Sequence, residues 1–174
     1  MATRKSMWVL FGILVVASFV FASVIQAGAE TLKFKVYTYV TKTERVPVGD
    51  VDGHTVTFFT RGAFIVFENG EVATQRSVGT SDTIKASGSS LTYQTITFSD
   101  GSTIIIKAQS AVAGTGPKAP TSGKVTREII KGTGRFEGIK GTGTSTVKYL
   151  PVEEGEAGAK GIGEGSITYT LPSK

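Results

Sequence analysis

Few side chains in this sequence have the types and spacing that acid–base, nucleophilic or metal chemistry requires. The 174 residues include one histidine, His54, and no cysteine. A thiol nucleophile, a cysteine-type zinc site and a two-histidine metal site within one chain are therefore excluded. His54 follows Asp52-Gly53 at a predicted turn, and the sequence positions no serine or aspartate to complete a catalytic triad with it. We interpret His54 as a solvent-exposed turn residue, and we predict neither a metal site nor a cofactor.

Arg127 and Glu128 are neighbours in a predicted strand, so their side chains point to opposite faces of a sheet. One of the two is expected to point inward, where a buried charge needs a partner. Arg76 is a second candidate for an inward charge and a candidate partner of Glu128. These three residues and Tyr93, one of five tyrosines that either line a cavity or pack at its rim, are the candidate ligand-binding residues. The alternative for Arg127 and Glu128 is a structural salt bridge that pins the adjacent turn.

The first 29 residues have the organisation of an export signal. A basic pair, Arg4-Lys5, precedes an apolar stretch over residues 7–25, and Ala27-Gly28-Ala29 matches a small-residue cleavage site. The sequence therefore predicts a signal peptide over residues 1–29, a mature domain over residues 30–174, and a secreted or periplasmic location. The alternative is an uncleaved membrane anchor, because the uncharged stretch approaches the roughly 20 residues that span a bilayer.

The charge of the predicted mature domain argues against one class of partner. Without Arg4 and Lys5 its net charge is +3, compared with +5 for the whole chain. The basic residues are scattered, and no basic run with interleaved aromatic residues occurs. We therefore predict no nucleic-acid partner, and no membrane contact once the signal is cleaved.

Alternation of apolar and polar residues with a period of two dominates the mature chain. Asn69-Gly70 and Ser99-Asp100-Gly101 are hairpin signals, and no segment has a helical period with caps. The pattern indicates roughly eight strands in an all-β domain, closed as a barrel or open as a sandwich. The alternating segments cover residues 32–40, 55–60, 63–67, 71–78, 91–98, 103–108, 124–131, 144–150 and 166–171. Two loops are predicted, over residues 113–123 and 153–165.

Several predicted strands are apolar on both faces. Within 63–67, Phe64 and Val66 share one face and the three remaining residues share the other, and Ile104–Ile106 repeats the pattern. An antiparallel sheet with one face in water needs only one apolar face per strand. The second face is therefore expected to cover a subunit interface or a flap of chain, and we predict a homo-oligomer.

The most distinctive stretch is REIIKGTGRFEGIKG, which spans residues 127–141. A strand reaches a Gly-x-Gly bend, an aromatic residue turns inward, and two further glycines permit a tight return into the next strand. The residues assigned to this structural turn are Gly132, Gly134, Phe136, Gly138 and Gly141.

This stretch resembles the region of plant dirigent proteins in which an Arg-Glu pair precedes a Gly-Thr-Gly-x-Phe turn and a further glycine. It is also similar to the Gly-x-Gly-x-Phe-Glu-Gly turn of allene oxide cyclases, and to nearly the same string in bacterial secreted proteins of the cyclase-like barrel group. The resemblance is weaker but collinear from about Val36 onward. It implies an eight-stranded antiparallel β-barrel with a central cavity, and trimers like those of the plant relatives.

The resemblance does not extend to the catalytic residues of the plant cyclases. Their first strand reads Val-Tyr-Glu-x-Asn, and alignment on Val36-Tyr37 puts Thr38 in place of the glutamate and Val40 in place of the asparagine. Their Ser-Pro pair falls on Val46-Pro47. Such a cyclase needs a carboxylate to stabilise developing positive charge and a polar group for the epoxide oxygen. Threonine and valine supply neither, so the first strand argues against an enzyme of that kind.

Three functions remain open from the sequence. The preferred one is an exported barrel that binds a small apolar molecule without catalysing a reaction. The second is a cyclase, an isomerase or a dirigent-like protein that guides a reactive intermediate by confinement. The third is a structural protein of an envelope or matrix. A packed interior would favour the third function, and a hollow one the first two.

Overall fold

Eight antiparallel strands form one sheet that closes into a barrel. This computed structural model describes residues 28–114 and 120–173. The strands are β1 (Glu30–Pro47), β2 (His54–Phe67), β3 (Val72–Ile84), β4 (Ser87–Phe98), β5 (Thr103–Ala113), β6 (Ser122–Thr133), β7 (Lys140–Tyr149) and β8 (Lys160–Thr170). Each strand pairs with the next along the chain, and β8 pairs back with β1. The predicted eight-stranded barrel is confirmed, and the open sandwich is wrong.

The predicted signal peptide lies almost entirely outside the described residues, which begin at residue 28. The first strand starts at Glu30. In the described part of the chain, no helix has the length and apolar character needed to cross a bilayer.

Two predicted strands, 55–60 and 63–67, are one continuous strand, β2. Gly62 does not end a strand but pairs with Tyr39 on one side and Arg76 on the other. A Cβ atom at Gly62 would collide with the ring of Tyr39, so the glycine makes room for an aromatic side chain that crosses it. A glycine within an alternating pattern here marks a close approach, not a turn.

The second predicted loop, 153–165, is also partly wrong, because β8 begins at Lys160. Gly161, Gly163 and Gly165 pair with inward-facing residues of β1 and form part of the ladder. A Cβ atom at Gly163 would lie 2.9 Å from Cγ2 of Val147 and 3.1 Å from Cγ1 of Val36. The glycines therefore leave interior space for neighbouring side chains, although their sequence is typical of a flexible loop.

A β-bulge in β1 changes which residues face the interior. Val40 pairs with Arg61 and Lys42 pairs with Thr60, so Thr41 is an extra residue between them. Before the bulge the even-numbered residues face inward; after it Arg45 does, because Arg45 pairs with a buried residue of β2. Directly paired residues share a face of the sheet. A second bulge, in β6, leaves Ile130 outside and half exposed.

The barrel has two ends, which we call the mouth and the base. The mouth carries the connections β1–β2, β3–β4, β5–β6 and β7–β8, and the base carries the other three. The interior near the base is filled by a row of aromatic rings whose successive centroids lie 4.7–6.3 Å apart. The rings belong to Phe34, Phe67, Phe98, Phe136 and Tyr169.

The distinctive glycine-rich turn closes the base. Gly134–Phe136 forms a single 3₁₀ turn after β6, and Phe136 is only 4% exposed within the aromatic row. Gly134 and Gly138 have φ values of +62° and +74°, a region that favours glycine. Gly132 and Gly141 lie within β6 and β7, where a Cβ atom would collide with backbone oxygens.

Candidate functional site

The inward-facing residues change from apolar to polar along the strands. In β4 they run Phe98, Ile96, Gln94 and Thr92 from the base toward the mouth, and all four are buried. The mouth half of the interior is also hollow. It contains two spaces: a mouth chamber of about 160 Å³ and, below it, an inner chamber of about 40 Å³, with Arg61 lining both.

Arg127 is the deepest charged residue of this cavity. It lies on β6, is 8% exposed and lines the inner chamber. Its Nη1 donates a hydrogen bond to Oγ of Ser145 at 2.7 Å, and its guanidinium carbon lies 5.3 Å from the ring centroid of Phe34. Burial lowers the pKa of Arg127 to about 10, and the influence of Tyr149 acts in the opposite direction. The side chain therefore stays positively charged at neutral pH.

Arg61 lines both chambers from the middle of β2. Its guanidinium carbon lies 4.3 Å from the ring centroid of Phe59 and 5.7 Å from that of Tyr149. Its Nε is buried and has no hydrogen-bond partner among the described residues. Aromatic rings thus contact the guanidinium, while one of its in-plane donors remains unpaired.

Arg45 extends this arrangement to the rim, where it lines the mouth chamber. The bulge at Thr41 places it there, because without the extra residue Glu44 would take an inward position instead. Among the described residues, the linings of the two chambers contain three arginines and no acidic side chain.

Two glutamines add neutral polar groups to the inner chamber. Nε2 of Gln75 donates to Oγ of Ser77 at 2.9 Å, and Nε2 of Gln94 donates to Oγ1 of Thr92 at 3.2 Å. The buried Oε1 of Gln94 has no partner within the described part of the chain. The cavity therefore offers positive charge, hydroxyl groups and amide groups on a frame of rigid strands.

Only one of the four predicted ligand-binding residues lines this cavity. Arg127 does; Arg76, Tyr93 and Glu128 are exposed on the outer surface. The prediction that Arg76 points inward is wrong, because Gln75 and Ser77 take the inward positions of β3. No ion pair joins Arg76 to Glu128 among the described residues.

His54 differs from its predicted role as an exposed turn residue. It begins β2 near the mouth, its side chain is 15% exposed, and each ring nitrogen contacts a carboxylate. Nε2 lies 2.8 Å from Oδ1 of Asp82 and Nδ1 lies 2.6 Å from Oδ1 of Asp50. These hydrogen bonds raise the pKa of His54, and the bond to Asp82 has the larger effect. In the described residues, no group of three or more His, Cys, Asp or Glu side chains is arranged so that it could hold a metal ion.

Comparison with solved structures identifies the barrel type. The pterocarpan synthase dirigent protein GePTS1 superimposes with a TM-score of 0.50 and 19% sequence identity, over 84% of this chain and 92% of that chain. The dirigent protein PsPTS1, also a pterocarpan synthase, matches at 19% identity over 86% and 99%, with a TM-score of 0.49. No protein-family model and no curated protein matches the sequence. The chain thus has the dirigent/allene oxide cyclase-like barrel fold expected from its glycine-rich turn.

Proposed function

We propose that this barrel is an exported binding protein that holds a small molecule in its mouth half without catalysing a reaction. The observation that carries the proposal is the division of the interior into a packed base and a hollow mouth. A purely structural barrel has no need of a cavity, because side chains can fill an eight-stranded barrel completely.

The mouth chamber has the mixed lining of a small-molecule site. Apolar side chains supply part of the wall, and threonine and serine hydroxyls and two arginines supply the rest. Pockets of this kind hold an apolar body by burial and fix its orientation with a few polar groups. The apolar part of the wall includes Val40, Phe59, Val112, Val152 and Ala159.

A substitution that fills the chamber tests the proposal. Ser81 lines the mouth chamber, and its neighbour Thr80 points outward, so Ser81→Phe and Thr80→Phe add the same side chain on opposite faces of β3. We expect native mass spectrometry of protein purified from its host to detect a bound molecule in the wild type and in Thr80→Phe, but not in Ser81→Phe. A wild type without bound ligand, or a Ser81→Phe variant that retains it, would contradict the proposal.

A second candidate function is the guiding of a reactive intermediate, which the fold shared with dirigent proteins favours. A shared fold does not establish a shared activity. Thr38 and Val40, which align with the catalytic glutamate and asparagine of the plant cyclases, both line the cavity. Neither carries a carboxylate at the position where that chemistry uses one. A stereochemical excess in the product of a supplied intermediate, measured with and without protein, would support guiding.

Export is part of the proposal and has its own test. The first strand begins at Glu30, the residue at which the predicted mature chain starts. Mass spectrometry of the protein recovered from the extracellular or periplasmic fraction should give an N-terminus at this residue. A chain that retains residues 1–29 in the membrane fraction would instead identify an uncleaved anchor.

A further inference from the structure

We infer that the ligand of this barrel is an organic carboxylate, whose acid group enters the inner chamber between Arg61 and Arg127 while its apolar body stays in the mouth chamber. This inference rests on the proposed function, and it names the chemical class that the cavity selects.

The first step is a charge imbalance. Arg127 is 8% exposed and Arg61 is partly buried. Both line the inner chamber, and within the described part of the chain no acidic side chain does. Buried charges in proteins are normally paired, because desolvation of an isolated ion is expensive. Two guanidinium groups in a narrow space with low-dielectric walls create a positive potential that attracts an anion.

The second step concerns the directions of the unpaired donors. Aromatic rings contact the guanidinium groups of both arginines: Phe59 and Tyr149 that of Arg61, and Phe34 that of Arg127. Contacts with the face of a guanidinium leave its in-plane N–H groups free, and a guanidinium has five of them. The described residues provide one side-chain acceptor for Arg127, Oγ of Ser145, and none for Nε of Arg61. These donors suit a planar oxyanion, which guanidinium groups bind through paired hydrogen bonds.

The third step is size. A water-sized group needs roughly 10–15 Å³ of cavity volume. The inner chamber, at about 40 Å³, therefore accommodates about three such groups, the size of a carboxylate. The mouth chamber, at about 160 Å³, has room for a compact apolar body such as one aromatic ring with a short chain. An inorganic anion would leave this apolar wall uncovered.

A matched pair of probes tests the carboxylate. The acid 3-phenylpropanoate and its amide have the same shape and differ in charge, so calorimetry of the mature protein with each measures the contribution of the charge. Charge-assisted hydrogen bonds are about twice as strong as neutral ones, and we expect the acid to bind at least about tenfold more tightly. Equal binding of acid and amide would overturn the inference and leave the proposed function intact.

Three arginine variants locate the charge effect. We expect Arg61→Gln and Arg127→Gln each to weaken binding of the acid about tenfold while binding of the amide hardly changes. Arg76→Gln is the matched control, because Arg76 lies on the outer face of the same sheet. Near-ultraviolet circular dichroism checks that each variant folds. If Arg127→Gln does not fold, the Arg61→Gln variant alone decides the result, because Arg61 is less buried. A control that weakens binding as much as the inner variants would overturn the inference.

The molecule that co-purifies from the host separates the two proposals. An identified acid supports both, and its acid group should be required for binding. A neutral molecule overturns the carboxylate inference and supports the proposed function. An empty barrel overturns the proposed function, and an empty barrel that also binds neither probe overturns both.

Discussion

At the scale of single residues, His54 connects two parts of the mouth that are distant in sequence. Asp50 lies in the β1–β2 connection, and Asp82 lies on β3. The pKa of His54 is raised, first by its hydrogen bond to Asp82 and then by that to Asp50. A group whose pKa is higher in the folded state binds protons more strongly there, so acidification favours folding through it.

We therefore expect the stabilising contribution of His54 to be complete below about pH 6.5, the ordinary pKa of histidine, and to disappear as the pH rises through its raised pKa. Because the chain has one histidine, its imidazole resonance in NMR reports this pKa directly. Urea unfolding of the wild type and His54→Gln should differ most at acidic pH and converge at alkaline pH. A measured pKa at or below that of a free histidine would exclude the effect.

The three arginines of the cavity differ in how well the alternation of apolar and polar residues predicts their inward positions. Arg127 shares its face of the strand with the apolar residues Val125 and Ile129, which indicates that this face lies toward the interior. Arg61 shares a face with Ala63 and Ile65 in the same way. Because the sequence predicts separate strands on either side of Gly62, it does not place Arg61 in the same strand as these two residues. The position of Arg45 depends on a bulge, which the alternation of residue types does not reveal.

At the scale of elements, the β3–β4 hairpin is longer than predicted. The alternating segments end at residue 78 and resume at residue 91, whereas the strands continue to Ile84 and from Ser87. The turn consists of Lys85 and Ala86, with φ values of +49° and +67°. A two-residue hairpin turn with both φ values positive normally carries Asn-Gly, so the residue types gave no signal here. The pairing of the flanking strands, and not the local preference of Lys85 and Ala86, determines the conformation of the turn.

This turn is expected to store strain that a glycine would release. A non-glycine residue in the left-handed region costs about 1–2 kcal/mol, so Ala86→Gly should raise the free energy of unfolding by about 1 kcal/mol. The control is Ala111→Gly, within the exposed part of β5, where loss of the side chain should destabilise the protein by about 0.5–1 kcal/mol. Chemical denaturation of both variants measures the difference, and an Ala86→Gly protein less stable than the wild type would contradict it.

At the scale of the whole molecule, the fold was predictable from the sequence, while the division of its interior was not. Period-two alternation indicates a sheet, and the glycine-rich turn that ends at Gly141 identifies the barrel type. The hollow mouth depends on where polar residues such as Gln94 and Thr92 fall along strands whose register closes the barrel. That register is set by strand pairing around the whole sheet, so it cannot be predicted from short segments of the sequence.

The outer surface carries the second apolar face that the sequence predicts. Phe64 and Val66 are exposed while Ala63, Ile65 and Phe67 are buried, so β2 is apolar on both sides. Tyr37, on β1, pairs with Phe64 on β2 and with Ile162 on β8, which places three exposed apolar side chains in one row. Large exposed apolar patches in soluble proteins usually mark interaction sites.

We propose that a second copy of the chain covers this row. Phe64→Glu places a charge within the row, and we expect it to convert an oligomer into a monomer by light scattering after size-exclusion chromatography. Thr126→Glu is the matched control, because Thr126 is exposed on β6, four strands away around the barrel. That variant should keep the mass of the wild type, since it adds the same charge on the opposite side. A monomeric wild type, or an oligomer that survives Phe64→Glu, would show that this face has another role.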